Sequence, residues 1–279
     1  MIGGTLLALL AAASPAPPRF GSQTDAIRVD VSVSRDGEPL AGLVAADFEV
    51  RDQGVPQHLE LVSRSEQTVH AILILDLSDS LTAAQQARIR RSARDMLARL
   101  ETRDRATLLV FAHDLRLVSG PAEPAVASAA VDRAYEWGGT AVYDALYAGV
   151  ALSAAVPGAR PFVLLFSDGL DRVSWLSPWK VLEAARHSDA TVYLASPADT
   201  PGGGLPGLAA DTGGYVIGAR PGPELDEAFT RVLTEVKNRY LLVYEPQGVP
   251  RPGWHELSVR LKKRKGKVRA RRGYYVAPP

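Results

Sequence analysis

The pattern of apolar and polar positions divides the chain into three stretches. From Ile27 to Ser34 apolar and polar residues alternate strictly, which predicts a half-exposed strand. From Val69 to Lys237 uninterrupted apolar runs alternate with segments whose apolar residues recur at helical spacing. After Arg239 the period returns to two. The pattern therefore predicts an α/β unit between two β-rich terminal segments.

The apolar runs of the middle stretch predict strands that are buried on both faces, as in a parallel sheet covered by helices. Because these strands alternate with helices, right-handed βαβ units are expected. The predicted fold class is a Rossmann-like, doubly wound, mostly parallel sheet, with a small β domain formed by the N- and C-terminal segments. The predicted strands cover 27–34, 48–54, 59–62, 71–75, 106–112, 115–118, 161–166, 190–195, 215–217, 240–244, 254–261 and 267–276, and the predicted helices lie near 89–100, 125–135, 142–150, 178–187 and 225–236.

The N-terminus predicts export. Met1 to Ser14 is a short apolar run with a small-residue Ala11-Ala12-Ala13 cleavage site, which is typical of a signal peptide. No Lys or Arg precedes the run, so an Ala/Pro-rich disordered start is the alternative. We expect a periplasmic or extracellular protein without a membrane span in the mature chain. The predicted segments are a signal peptide and linker (1–22), an N-terminal β segment (23–66), the α/β domain (67–238) and a C-terminal β segment (239–279) that packs with 23–66.

The composition excludes cysteine chemistry, and the charges are unevenly distributed along the chain. The chain has no cysteine, which excludes disulfides, cysteine zinc sites and a thiol nucleophile. The net charge is only +1, yet Arg260 to Arg272 contains nine Lys or Arg residues and no acid, so the other residues sum to −8. Alternation around a Lys265-Gly266 turn favours strands with one solvated basic face over a nucleic-acid site. Contact with an acidic surface or envelope polymer is the second interpretation.

Three polar loops follow buried strands or open helices, and they carry the candidate chemistry. They are Asp76-x-Ser78-x-Ser80, Gly138-Gly139-Thr140 and Ser167-Asp168-Gly169. In open α/β sheets ligands bind beyond the carboxyl ends of the strands, where such loops meet. Their oxygen groups suit a hard cation such as Mg²⁺. Taken singly, each loop also fits a helix N-cap or a plain turn.

In these motifs the chain resembles the von Willebrand factor type A (VWA) family, whose metal-ion-dependent adhesion site (MIDAS) has the same Asp-x-Ser-x-Ser, Thr and Asp pattern. The resemblance covers roughly 69–237, and the flanking Asp47-Phe48 and Gly273-Tyr274 segments are similar to exported bacterial VWFA-related proteins. It implies a Mg²⁺ site, with Mn²⁺ or Ca²⁺ as alternatives. The implied metal residues are Asp76, Ser78, Ser80, Thr140 and Asp168.

The resemblance also implies how the site works. The hydroxyls of Ser78 and Ser80 would coordinate directly, and Thr140 directly or through water. Asp76 and Asp168 would bind through water, or one of them directly, according to the state of the site. A metal with few carboxylate ligands keeps an open position for an Asp or Glu of a protein partner. The implied function is a non-enzymatic, metal-dependent, adhesion-type binding module. Asp79, inside the first motif, is expected to face solvent, Leu81 stands where Met is frequent, and Asp144 is either a supporting residue or an exposed helix residue.

Two other functions stay open. The first is a structural or assembly component of the cell envelope with a vestigial metal site. The second is a phosphotransferase of the haloacid-dehalogenase type, which also places an Asp after its first buried strand. That chemistry needs a second acid two residues later, and position 78 is Ser. The five histidines show no metal-ligand spacing, and no nucleotide-binding glycine loop is present. The sequence leaves the oligomeric state open.

Overall fold

The computed structural model describes residues 26–64, 67–79, 81–134, 138–197, 202, 204–250 and 252–277. Ser80 and the predicted signal peptide and linker therefore lie outside the described residues. The strands, in chain order, are β1 (Ile27–Arg35), β2 (Glu38–Pro39), β3 (Phe48–Asp52), β4 (Val55–Gln57), β5 (Leu61–Arg64), β6 (Val69–Asp76), β7 (Arg105–Phe111), β8 (Leu115–Ala122), β9 (Arg160–Phe166), β10 (Thr191–Ser196), β11 (Val216–Gly218), β12 (Tyr240–Tyr244), β13 (Gly253–Leu261), β14 (Lys267–Ala270) and β15 (Gly273–Val276). The α-helices are α1 (Ala83–Leu97), α2 (Pro124–Ala130), α3 (Val142–Leu152), α4 (Pro178–Arg186), α5 (Leu205–Asp211) and α6 (Pro223–Lys237).

The centre of the molecule is a six-stranded sheet in the order β11-β10-β9-β6-β7-β8. Every neighbouring pair is parallel except β7 with β8. Along β6 alternate side chains enter opposite cores: Leu73 and Leu75 pack toward α1, α2 and α6, whereas Ile72 and Ile74 pack toward α3, α4 and α5. The uninterrupted apolar run over 71–75 of this strand is thus explained by helices on both faces. The predicted fold class is confirmed.

The edge strand β8 is longer and more exposed than the sequence predicts. A short strand is expected over 115–118, but β8 continues to Ala122 through Gly120 and Pro121. Among the described strands β8 pairs with β7 alone, and its register with that strand shifts twice. Proline is tolerated at such an edge because its missing N–H does not interrupt a ladder on the outer side.

The terminal segments form a two-sheet β sandwich beside the α/β part. One sheet has the order β14-β1-β12-β5, with β2 paired to β1, and the other has the order β15-β13-β3-β4. Val31, Phe48, Val50, Leu242 and Tyr244 are buried in the core of the sandwich. N-terminal β1 lies between C-terminal β12 and β14, so this sandwich needs both ends of the chain.

The sequence predicts one C-terminal strand over 267–276, and this prediction is wrong. The structure divides it into β14 and β15, which belong to different sheets. At the break, Arg271 donates hydrogen bonds to the carbonyls of Arg186 (3.1 Å) and Ser188 (2.9 Å). The backbone N–H of Arg272 donates to the carbonyl of Asp211 at 2.9 Å. These contacts with the α/β part turn the chain, and the alternating pattern carries no sign of them.

The helix predicted over 125–135 is also shorter than expected. The α-helix α2 begins with Pro124 at its first turn and ends at Ala130, and a 3-10 turn follows over Val131–Arg133. By contrast, α1 begins earlier than the apolar stripe indicates, because Thr82 caps it by accepting a hydrogen bond from the backbone of Gln85.

A buried arginine joins the two parts of the molecule. Arg239, 1% exposed, lies directly after α6. Its guanidinium donates to the Tyr193 hydroxyl (2.9 Å), the Glu235 carboxylate (3.1 Å), the Gly213 carbonyl (3.2 Å) and the Asp30 carbonyl of β1 (3.0 Å). The buried charge is therefore neutralised and hydrogen-bonded within the protein, which is the condition for a stable buried ion.

Candidate functional site

The first polar loop starts at a buried carboxylate. Asp76, the last residue of β6, is only 1% exposed. Its Oδ1 accepts a hydrogen bond from the Ser78 backbone N–H at 3.0 Å, and its Oδ2 accepts one from the Ser167 hydroxyl at 2.8 Å. Because Ser167 follows β9, the Asp76 side chain ties the first loop to the third.

The second loop contacts the first. The backbone N–H of Asp79 donates to the Gly138 carbonyl at 3.3 Å, and the N–H of Ala141 donates to the Ala112 carbonyl at the end of β7 at 3.1 Å. Gly138 has a φ of +104°, and a Cβ there would lie 2.9 Å from the Cβ of His113. A glycine is therefore required for this close approach. Thr140, two residues later, is buried.

The third loop closes on the second. The backbone N–H groups of Arg172 and Val173 donate to the Thr140 carbonyl at 2.8 and 3.3 Å. Asp168 is half-buried, and its Oδ1 accepts the Leu170 N–H at 3.0 Å in a local turn. The structure thus brings the loops of Asp76, Ser78, Thr140 and Asp168 to one edge of the sheet, and Ser80 lies outside the described residues.

At this edge of the sheet, the negative charge of Asp76 is unfavourable in the metal-free protein. Burial raises the pKa of Asp76, and the nearby negative charge of Asp168 adds to the rise, while hydrogen bonds from Ser78 and Ser167 oppose it. Ion pairs form elsewhere in the described chain, but neither Asp76 nor Asp168 pairs with a Lys, Arg or His there. A buried acid next to a second acid, with no positive partner, is an environment that a cation stabilises.

The donor set fits a hard cation with few charged ligands. The described residues contain no group of three or more His, Cys, Asp and Glu side chains that could hold a metal. At this edge the oxygen donors are instead two carboxylates and the hydroxyls of Ser78 and Thr140. Mg²⁺ prefers oxygen ligands and commonly keeps several waters. The residues present therefore fit a magnesium site that the protein neutralises only in part.

The third loop is held by residues that the sequence does not identify as a group. Asp171 accepts the Val142 N–H at 2.8 Å, and the Ser174 hydroxyl accepts the Tyr143 N–H at 3.0 Å, so both cap α3 from a distant loop. Asp144, whose role the sequence leaves open, accepts the N–H groups of Trp175 and Leu176 at 2.9 Å each. Asp and Ser are typical caps, but partners about 30 residues apart leave no local signal.

Exposed apolar side chains cluster in sequence on this loop and the helix after it. Trp175 is 97% exposed, Trp179 is 61% exposed and Leu170 is 53% exposed. Asp144 accepts the backbone N–H of Trp175 and so fixes the backbone that carries this side chain. Asp79 of the first loop is also exposed. The neighbourhood of the site therefore offers large apolar groups to solvent.

Comparison with known proteins gives the fold. No protein-family model and no curated protein matches the sequence. Among solved structures, a von Willebrand factor type A protein from Catenulispora acidiphila is similar over 88% of this chain and 72% of its own, with a TM-score of 0.53 and 14% identity. A mutant of the PilB minor pilin from Streptococcus sanguinis is similar over 62% of each chain, with a TM-score of 0.50 and 11% identity. The chain therefore contains a domain with the von Willebrand factor type A fold, as the resemblance of its loop motifs predicts.

Proposed function

We propose that the protein is a non-enzymatic, metal-ion-dependent protein-binding module. A divalent cation, Mg²⁺ with Mn²⁺ or Ca²⁺ as alternatives, would bridge the sheet edge to an Asp or Glu of a partner. The observation that carries the proposal is the buried Asp76 carboxylate beside Asp168, with no Lys, Arg or His among the described residues paired to either acid. A metal would supply the missing positive charge and leave part of it available to the partner's carboxylate.

Five residues would hold the ion: Asp76, Ser78, Ser80, Thr140 and Asp168. Two hydrogen bonds, from the Ser78 backbone and the Ser167 hydroxyl, orient the Asp76 carboxylate. Two more, from Arg172 and Val173 to the Thr140 carbonyl, fix the backbone that carries the Thr140 hydroxyl. Metal sites depend on such supporting contacts, because they hold the ligands in position before the ion arrives.

The exposed tryptophan supports a protein as the partner. Aromatic side chains, and Trp above all, dominate the energetics of protein interfaces. Trp175 is 97% exposed on a loop that begins beside Asp168, and Asp144 holds its backbone in place. A backbone that is already held in place loses little conformational freedom when a partner covers the side chain that it carries. We therefore place the partner across the metal site and Trp175 together.

Export to the periplasm or the extracellular space is part of the proposal. It rests on the apolar run and cleavage site predicted within 1–22. One of the similar folds is that of a minor pilin. Within the described ranges, no helix is long and apolar enough to cross a membrane.

One observation favours a competing function, an envelope assembly component with a vestigial metal site. Both oxygens of Asp76 already accept a hydrogen bond inside the protein, so the loops are held together without an ion. A phosphotransferase has less support, because the position two residues after Asp76 is Ser78. Turnover of a generic phosphate ester that disappears in Asp76→Ala would establish that activity.

Calorimetry with Mg²⁺ and Mn²⁺ tests the proposal. We expect measurable binding by the wild type that is lost in Asp76→Ala and in the double variant Ser78→Ala, Ser80→Ala. Asp79→Ala is the matched control, because Asp79 is an exposed acid in the same loop; it should keep its affinity within about twofold, as an exposed substitution usually does. Absence of heat in the wild type would support the vestigial site instead.

Capture from an envelope extract, with and without a chelator, tests the binding function. A specific partner should be retained with Mg²⁺ and released by the chelator. Trp175→Ala should reduce capture and leave metal binding unchanged, because the side chain is exposed and only the backbone of Trp175 contacts Asp144. A partner that is retained equally with the chelator present would contradict metal bridging.

A further inference from the structure

A second candidate site lies away from the sheet edge, in a cleft between the β sandwich and α6. The cleft has a volume of about 1140 Å³. One wall is the β1–β2 turn and the segment from Lys263 to Arg269, and the other wall is the exposed side of α6 around Arg231 and Thr234. Pockets for small molecules hold roughly 300–1000 Å³. This cleft is therefore large enough for an extended ligand.

The walls of the cleft are basic. Seven Lys or Arg residues line it against three acids: Arg35, Arg231, Lys263, Arg264, Lys265, Lys267 and Arg269, with Asp36, Glu38 and Glu235. Within the described chain only Arg269 of the seven pairs with an acid, at 3.5 Å from Glu235. The other six positive charges repel one another across the cleft, and an anionic ligand would relieve that repulsion.

The strand register explains how these charges come together. In β14 Lys267 lies opposite Ser34 of β1, and Arg269 lies opposite Ser32. Val268, between them, packs against the sandwich core with Val33. Alternation therefore directs Lys267 and Arg269 to the outer face of the sheet, toward α6. The basic stretch from Arg260 to Arg272 therefore forms a solvated strand face, and part of it also lines one wall of the cleft.

We propose that this cleft binds an acidic polypeptide segment, without a metal. Its anchor points are the carboxylates of the ligand against Arg231, Lys265 and Lys267. Thr234 of α6 lines the same wall, and its exposed side chain offers a hydroxyl to a peptide backbone. The site is separate from the metal edge and goes beyond the function proposed above.

The chemistry of the cleft favours a polypeptide over a nucleic acid. Single-stranded nucleic acids bind through aromatic side chains on which bases stack. Tyr215 is the aromatic residue that lines the cleft, and the Arg269 guanidinium covers its ring at 4.0 Å from the ring centre. Asp36 on the β1–β2 turn and Glu38 at the start of β2 would repel a continuous phosphate backbone. Carboxylates spaced along a peptide can avoid them.

A fluorescent dodecamer of L-glutamate, titrated with the full chain at low and high salt, tests the assignment. We expect binding that weakens as NaCl screens the charges and that does not change with EDTA. Charge reversal in Lys265→Glu, Lys267→Glu should weaken binding at least about tenfold, equivalent to 1.4 kcal/mol. Arg231→Glu, on the opposite wall, should weaken it independently.

The matched control is the pair Lys262→Glu, Arg91→Glu. It changes the net charge equally at two exposed positions that do not line the cleft, and it should alter the affinity less than about threefold. Equal losses in the control pair, or no binding by the wild type, would overturn the proposal. Tighter binding of a dodecamer of deoxythymidylate, displaced by the same reversals, would assign the cleft to nucleic acid. Because EDTA abolishes only metal-dependent binding, failure of the metal site leaves this test intact.

Discussion

Two buried charges in this molecule have opposite surroundings. Arg239, at the junction with the β sandwich, donates to four acceptors, and an acid is one of them. Asp76, at the sheet edge, receives neutral hydrogen bonds from Ser78 and Ser167 and lies near another acid. The first charge has its counter-charge in Glu235, whereas no such partner lies against Asp76 among the described residues. The comparison separates a residue that joins two parts of the protein from one that is available to an ion.

The largest expected effect on the free energy of unfolding comes from removing the charge of Arg239. Arg239→Met should lower the free energy of unfolding by about 3 kcal/mol, because removal of one partner leaves the others buried without it. Arg231→Met, at an exposed position of α6, is the control and should change the free energy of unfolding by less than about 0.5 kcal/mol. Urea denaturation measures both. An Arg239→Met protein as stable as the control would contradict the view that the buried charge of Arg239 stabilises the junction between the two parts of the protein.

A third buried group, at the opposite end of β6 from Asp76, gives a pH dependence. Burial lowers the pKa of His70 from 6.5, and its Nε2 lies 2.9 Å from the Thr107 hydroxyl. Because the folded state holds the proton less tightly than the unfolded state, stability falls as the pH drops below 6.5, by up to about 1.4 kcal/mol per pH unit.

His70→Gln should remove this part of the pH dependence, because glutamine stays neutral. Denaturation of both proteins between pH 7.5 and 5 measures the difference. Equal slopes for the two proteins would show that His70 does not titrate in this window.

The smallest expected effect on the free energy of unfolding comes from removing the charge of Asp76. This change should stabilise the metal-free protein, whereas the loss of Arg239 destabilises it. Without metal, Asp76→Asn should be about 1 kcal/mol more stable than the wild type at pH 7, because it removes a charge whose burial is unfavourable. The raised pKa means that the gap closes as the pH falls, and it should vanish below 3.8, where the acid is protonated in both states.

Asp79→Asn is the control for this substitution, since Asp79 is exposed in the same loop. Thermal unfolding in the presence of EDTA measures the three proteins. A less stable Asp76→Asn protein would show that the charge of Asp76 already has its counter-charge inside the fold.

The part of the fold that depends on apolar runs could be predicted from the sequence. Residues 71–75 are apolar throughout, and the structure buries them between two helical layers. The order of the polar loops predicts that Asp76, Thr140 and Asp168 share one edge, because parallel strands end on the same side. These features are local, or they follow from the handedness of βαβ units.

Features set by distant partners could not be predicted. The break between β14 and β15 depends on Arg271 and on carbonyls at Arg186 and Ser188, more than 80 residues away. The hydrogen bonds of Asp144 to Trp175 and Leu176 likewise join two loops that the sequence does not connect. The basic cleft requires β14 to lie against β1, so its concave shape is invisible in the run of charges.

A crystal structure of the protein grown with MnCl₂ tests the central claim most directly. The account predicts an anomalous-difference peak enclosed by the oxygens of Asp76, Ser78, Ser80, Thr140 and Asp168, with direct oxygen ligands at roughly 2.0–2.3 Å. It also predicts that the peak is absent from crystals of Asp76→Asn. A wild-type map with no manganese at this edge, or with these side chains too far apart to share one ion, would contradict it.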